Sequence, residues 1–497
     1  MTSRPDQPHD PAAVRAHIET VLATYPALRI RFLRSLLIAL HRQGAVRLED
    51  VQREAAASVE EQSEQLGEIH DDNVPLAVRL DETQRRRMEE LTIDHAARHL
   101  QPAAIDEVLN ITRKRDEARS LEEIANLNTV SFGLLKQKVL DFGSLPRGQE
   151  RLSEHEATSV RVALIKRFIS EQLEFIGIAK RYLTIRDFDR IVRRIVGPDA
   201  GGGLIGGKAG GMILGARILQ REAAADPDAP LKDIAVPDSW FVRSDVMQLF
   251  IQHNDLHEFL DQKYKPIAEV RQQARMVLNL FRNADFPPEI VTQMRDVLEE
   301  AGEHPLIVRS SSLLEDRFGT AFAGKYRSIF VVNHGPLEER LEQLLGAIAE
   351  VYASTLMPDP ISYRQRHNLL DFTESMGILI QKLVGNTAGR YFLPTWAGVG
   401  FSWNPYRRNP RIDPADGLAR VVFGLGTRAV DRTGEDYARM IPLGQPAVRP
   451  ELNTADIIRH SQRRADVIDL AEHRFRSVPV AEIMDQASRI PDARSVF

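Results

Sequence analysis

Fifteen residues beginning at Gly197, GPDAGGGLIGGKAGG, hold eight of the chain's 30 glycines and a single lysine, Lys208. Without a Cβ, backbone N–H groups can approach an anion closely, so such a run suits phosphate. Known phosphate patterns overlap on it. Gly201, Gly203 and Gly206 fit G-x-G-x-x-G; Gly202, Gly207 and Lys208 fit the start of G-x-x-x-x-G-K-[ST], with Ala209 in place of the hydroxyl. Both patterns need a strand directly upstream. Phe188, Ile191, Val192, Ile195 and Val196 recur three and four apart instead, which predicts a helix. What remains is Gly206-Gly207-Lys208 at the start of a predicted helix over 209–219, where the helix N-terminus and a lysine charge would hold a phosphate. The bland alternative is an interdomain hinge with one solvated lysine.

Other reactive types are sparse. The chain has no cysteine, which removes disulfides, thiolate metal sites and thiol nucleophiles together. His95 and His99, like His253 and His257, are spaced i, i+4, but neither pair has the metalloprotease glutamate or a visible third ligand, so polar helix faces are the better account. No G-x-S-x-G occurs. The basic runs at 84–87 and 113–119 are interleaved with acids and poor in aromatics, which predicts solvated helix surface and no nucleic-acid binding.

These residues need elements to position them. At 43% hydrophobic and 27% charged, the composition excludes wholesale disorder, and 65 Lys+Arg against 70 Asp+Glu gives no global drive towards nucleic acid or membrane. The N-terminus has no apolar signal region, and the stretch 32–41 is too short and basic to span a bilayer, so a cytoplasmic protein is expected. Helical spacing (Val14, Ile18, Val21; Phe32, Leu36, Leu40; Val160, Leu164, Phe168) runs to about residue 185, with a weakly periodic acidic stretch over 54–81 read as a loop or linker. Beyond the glycines come strand-like runs at 306–308, 328–332, 376–384 and 420–423, with a helix over 337–354. The fold class is therefore α+β, an all-helical domain (1–185) before a mixed one (186–449), and polar helix is predicted as a short tail (450–497).

Residues 306–332, LIVRSSSLLEDRFGTAFAGKYRSIFVV, carry V-R-S-S, then E-D, then a small-residue loop ending F-A-G. With LIGGKAGG, VPDSWFV, Tyr363-Arg364, ILIQKLV, the SWNP turn and FGLG in that order, the stretch 200–445 closely resembles the nucleotide-binding domain of phosphoenolpyruvate synthases and pyruvate phosphate dikinases. The resemblance implies an ATP-grasp-like, two-lobed domain over 186–449 that binds ATP with Mg2+ and transfers a phosphoryl group. It implies cofactor-binding roles for Gly206, Gly207, Lys208, Arg309 and Gln381, and catalytic roles for Lys208 on the ATP phosphates and Arg309 on the transferring group. The chemistry agrees, because phosphoryl transfer rests on positioning and charge neutralisation, and a guanidinium at a strand end can reach two phosphate oxygens. Read from the residues alone, Arg309 could equally pair with Glu315 or Asp316, and Gln381 could be the polar face of a strand. The metal ligands stay unassigned, with Glu315 and Asp316 as candidates.

The sequence also departs from that family. Its G-L-G-E run reads Gly424-Leu425-Gly426-Thr427 here, so a cleft carboxylate is missing, with Asp431, Glu435 and Asp436 the nearest acids; Lys325 replaces a glutamine after F-A-G. None of the 14 histidines sits in the family's phospho-acceptor context, and too few residues follow Arg449 for a pyruvate-binding barrel. The expectation is a cut-down relative, or a piece of a larger chain, with a protein phospho-acceptor supplied in trans. A non-catalytic nucleotide-binding module is the alternative, favoured by Thr427.

Overall fold

The computed structural model describes residues 10–65, 76–144, 152–226, 230–312, 324–371, 374–406, 410–430, 436–449 and 453–485, with 228, 314 and 490 singly. The chain divides into two compact units. One comprises Met1–Leu127 and Leu134–Ala163, the other Asn128–Gly133 and Leu164–Phe497.

The first unit is helical, as the spacing predicts: α1 (Pro11–Thr24), α2 (Arg29–Arg42), α3 (Leu48–Gln65), α4 (Leu76–His99), α5 (Pro102–Asn126), then α6 (Phe132–Ser144) and α7 (Glu154–Phe168), whose ends cross into the second unit. Asp10 starts α1 by accepting from the Ala12 amide at 3.0 Å, with Pro11 at the first helical position. Val14, Ile18 and Leu22 of α1 meet Phe32, Leu36 and Leu40 of α2, Ile93 and Ala97 of α4, and Ile105 of α5 in one core. His95 and His99 stack on each other in α4, with ring centroids 6.2 Å apart. Most of the acidic stretch read as a linker is helical, in α3 and α4; residues 66–75 lie outside the described residues.

The second unit continues with α8 (Leu173–Tyr182), α9 (Asp187–Arg193), β1 (Ile195–Val196), α10 (Gly207–Ala225), β2 (Ser239–Val242), α11 (Asp245–His253), α12 (Ile267–Arg282), α13 (Pro288–Ala301), β3 (Leu306–Ser312), β4 (Ser328–Val331), α14 (Leu337–Ser354), α15 (Pro358–Arg366) and β5 (Met376–Lys382). Its main sheet has the order β1-β2-β5-β3-β4, with β1 parallel to β2 and the other pairs antiparallel. The apolar run of β5 is buried along nearly its whole length because helices cover both faces of the sheet. On one face Trp240, Val308, Ile378 and Ile380 pack with Phe250, Phe281, Met294, Ile348 and Tyr352.

Two smaller sheets follow: β6 (Asn386–Ala388), β7 (Tyr391–Leu393), β8 (Ala397–Phe401), β9 (Leu418–Val422), α16 (Thr427–Val430), β10 (Arg439–Pro442), α17 (Thr454–Arg459), β11 (Arg464–Asp469), β12 (Arg474–Pro479) and α18 (Val480–Met484). They have the orders β10-β9-β8 and β12-β11-β7-β6. The predicted helical tail is thus corrected. Residues 464–479 form an antiparallel hairpin that completes a sheet with β7. The cause is local. Asp469, fully buried, accepts from the amides of Ala471 (3.1 Å) and Glu472 (3.0 Å), and His473 takes φ +49°, so the turn closes without glycine or proline. A second correction lies upstream of the glycine loop. The helix ends at Arg193, and Ile195 and Val196 form a two-residue strand beside Phe241 and Val242, too short to interrupt the helical spacing.

Candidate functional site

The glycine loop is fixed in place, so the hinge alternative does not describe it. Its first half is held by buried side chains of the same unit. Arg243 Nη2 donates to the Pro198 carbonyl (2.6 Å) and to Asp245 (2.8 Å), and Asp245 accepts from the Gly203 amide at 3.0 Å. Arg167 Nη2 reaches the Gly201 carbonyl at 3.2 Å, and Ser244 accepts from the Leu204 amide at 3.1 Å. A Cβ on Gly203 would overlap the Asp245 carboxyl, so the G-x-G half of the pattern serves close packing against that side chain.

The second half makes the site. Gly206, at φ +85° and ψ 175°, turns the chain into α10 against the Ser311 carbonyl, which a Cβ would overlap. Ser311 donates its hydroxyl to the Ile205 carbonyl (2.8 Å) and accepts from the Ala209 amide (3.0 Å), capping the third residue of α10 from a neighbouring strand. Lys208 Nζ donates to Ser310 Oγ at 2.8 Å, beside Arg309 in β3. Arg309 Nη1 donates to Gln381 Oε1 at 3.2 Å, and Gln381 Nε2 donates to Ser239 Oγ at 3.0 Å and Met212 Sδ at 3.0 Å. The register explains this chain of contacts: Gln381 lies opposite both Ser239 and Ile307, two residues before Arg309, so all three polar side chains share a sheet face. All five residues expected at the site are thus gathered around the start of α10 and the β3–β5 pair. Met212, one helical turn beyond Lys208, borders a cavity of about 580 Å³ that also reaches Ala216, Arg217, Ser239 and Phe241.

Around this core the family landmarks take structural roles. Arg364 is buried and donates to the Thr355 carbonyl at 2.7 Å. Glu374 accepts from the hydroxyls of Ser312 and, at 2.7 Å, Tyr326; burial pushes its carboxyl up, against those two donors and Arg364. Lys325 Nζ lies 5.7 Å from the centre of the Tyr363 ring. Glu315, Asp316, Asp431 and Glu435 fall outside the described residues.

Thr427 donates to Asp466, and Arg428 spans Asp466 (2.9 Å), Asp436 (2.6 Å) and Ser477 (2.5 Å). Asp436 also accepts from the Arg463 amide at 2.6 Å, so it is committed to Arg428 and the backbone. Gly424 and Leu425 press on the Asp466 backbone, with the Leu425 amide donating to the Asp466 carbonyl at 2.8 Å. The FGLG segment is therefore anchored on β11. Sequence reasoning missed Ser310, Ser311, Ser239 and Asp466. The two serines directly after Arg309 were the available signal, whereas Asp466 lies in the stretch read as helix. Among the described residues, no group of three or more His, Asp or Glu side chains is placed to hold a metal, and no helix is long and apolar enough to cross a membrane.

Comparison with known proteins identifies the family. The model of the family described as pyruvate phosphate dikinase, AMP/ATP-binding domain, matches residues 202–490, past the FGLG segment and through the hairpin. Phosphoenolpyruvate synthase of Deinococcus radiodurans is 24% identical over 209 residues, covering 40% of this chain and 24% of the relative. The Aquifex aeolicus phosphoenolpyruvate synthase is 23% identical over 222 residues (41% and 24%). A rifampicin phosphotransferase of a Streptomyces species is 27% identical over 179 residues (35% and 19%). The chain thus spans a quarter or less of the length of these curated relatives. With more than half of its residues matched by the family model, and its glycine loop, V-R-S-S strand and ILIQKLV strand joined in one site, the chain belongs to the pyruvate phosphate dikinase AMP/ATP-binding domain family.

Proposed function

We propose that the chain is an ATP-dependent phosphotransferase module, with the nucleotide phosphates over the N-terminus of α10 and the acceptor supplied from outside the described residues. The observation that supports it most is that the consecutive β3 residues Arg309 and Ser310 bond to Gln381 and to Lys208, bringing both cations to the strand beside the start of α10. Arg309 is held on a neutral partner, Gln381, so an arriving phosphate need not displace a carboxylate from its guanidinium. The start of α10 adds the positive end of a helix dipole, which favours a phosphate. The cavity beyond Met212 is large enough for the nucleoside. Magnesium would enter as part of Mg-ATP, held chiefly by phosphate oxygens.

Calorimetric titration of Mg-ATP into the wild type, Lys208→Ala and Arg309→Ala tests the binding half. Each substitution should weaken binding at least about tenfold, on the order of 1.4 kcal/mol; no heat with the wild type would sink the proposal. A second reading, a nucleotide-binding module without catalysis, is favoured by one contact. Thr427 stands where the resemblance leads one to expect a carboxylate, and the adjacent Asp466 is neutralised by Arg428. Phosphorus NMR of ATP incubated with the protein separates the two: AMP or ADP formation supports catalysis, and unchanged ATP beside proven binding supports the second reading.

A further inference from the structure

From the α5–α6 connection into the first two residues of α6 the chain leaves the helical unit for six residues, Asn128–Gly133, and these belong to the nucleotide unit. They are bonded to the glycine loop at several points. The Phe132 amide donates to the Asp199 carbonyl at 2.6 Å, and the Gly133 amide to the Asp199 carboxylate at 2.5 Å. A Cβ on Gly133 would crowd that carboxylate. Arg167 Nη2 bridges the two segments, donating to Val130 and Gly201 carbonyls at 3.2 Å each. The Phe132 ring lies edge-on to Phe168 and under the Arg243 guanidinium, 4.6 Å from its centre.

Arg243 is 2% exposed, and its Nε has no hydrogen-bond partner. A guanidinium taken out of water must be matched by its surroundings. Here those are the carboxylate of Asp245, to which it is bonded, the charge of Asp199, one carbonyl (Pro198) and the face of Phe132. The same Asp245 holds the Gly203 amide, three residues before Gly206. The loop is thus tied at its near end by the strap and at its far end by Ser311, with Lys208 directly after.

We propose that Asn128–Gly133 is a strap that positions the glycine loop, with Phe132 and Arg243 as positioning residues for nucleotide binding at Lys208. This rests on the function proposed above, and it assigns a segment far away in sequence to the same site. Phe132 touches no nucleotide; it keeps Arg243 on Asp245 and Pro198, and through them sets the path into α10.

The test uses the full chain with Phe132→Ala, Phe132→Leu and Phe132→Tyr, reading Mg-ATP affinity together with hydrogen exchange of individual amides. Expected are a loss of about tenfold in affinity for the alanine and leucine variants, near wild-type affinity for tyrosine, and faster exchange confined to Gly203, Leu204 and Ile205. Asp199→Ala, at an exposed position, should show the same pattern more weakly if Phe132→Ala fails to fold. Unchanged affinity and exchange would overturn the proposal, as would exchange that rises equally throughout β3 and β5, because that is general destabilisation. If the wild type itself binds no Mg-ATP, the proposed function falls, and exchange at those three amides alone decides for or against the strap.

Discussion

At Gly206 two constraints coincide: a φ of +85° with ψ near 175°, and the Ser311 carbonyl where a Cβ would stand. Gly211, five residues on in the same helix, has neither, with nothing within 4 Å of an added Cβ. The same chemical change should therefore act with opposite sign at the two positions. Gly206→Ala should destabilise by at least about 1–3 kcal/mol from backbone strain alone. Gly211→Ala should stabilise by roughly 0.5–1 kcal/mol, the usual gain in a helix interior. Urea midpoints at constant slope measure both, and equal effects would contradict the packing described. For Mg-ATP affinity the two should again part, since only Gly206 sets the turn that presents Lys208.

The β11–β12 hairpin shows what charge does at the scale of an element. Burial alone would raise the Asp469 carboxyl, yet Arg390 at 2.5 Å, the Glu472 amide and Arg476 at 3.0 Å outweigh it and lower it to about 2. A carboxyl held below its unfolded value contributes stability that is present above about pH 4 and lost as pH falls towards 2. Hydrogen exchange of the hairpin amides should accelerate across that window, and Asp469→Asn should flatten the dependence while weakening the hairpin at neutral pH. The same element marks where the sequence stops being legible. Long amphipathic helices and the β3 and β5 runs could be read because periodicity is a local property, and motif order singled out Lys208, Arg309 and Gln381 as candidates. The hairpin could not be read, because Asp469 supplies the turn and arginines from the β6–β7 turn and β12 neutralise it only once the chain has folded. β1 escaped for a related reason: its two residues continue the spacing of α9, and only pairing with β2 makes them a strand. Ser239 and Met212 joined the site through register and helix phase, which no motif records.

For the whole molecule, the division into two units makes a thermodynamic statement. Each has its own core, one built on Phe32, Leu36 and Ile93, the other on Trp240, Phe250 and Ile378. Hydrophobic burial dominates the stability of each, so each should unfold as its own cooperative transition. A ligand that binds only the folded form of one unit stabilises that unit alone. At a hundredfold excess over its dissociation constant the gain is about 2.7 kcal/mol. Scanning calorimetry of the full chain should accordingly show two transitions, with Mg-ATP moving one upward and leaving the other in place. Phe132→Ala should lower the nucleotide-sensitive transition, since residue 132 belongs to that unit even though the sequence around it is helical-unit sequence. If the variant lowers only the nucleotide-insensitive transition, residues 128–133 serve the helical core instead. If Mg-ATP raises both transitions together, the two cores unfold as one and the division marks packing density without thermodynamic independence.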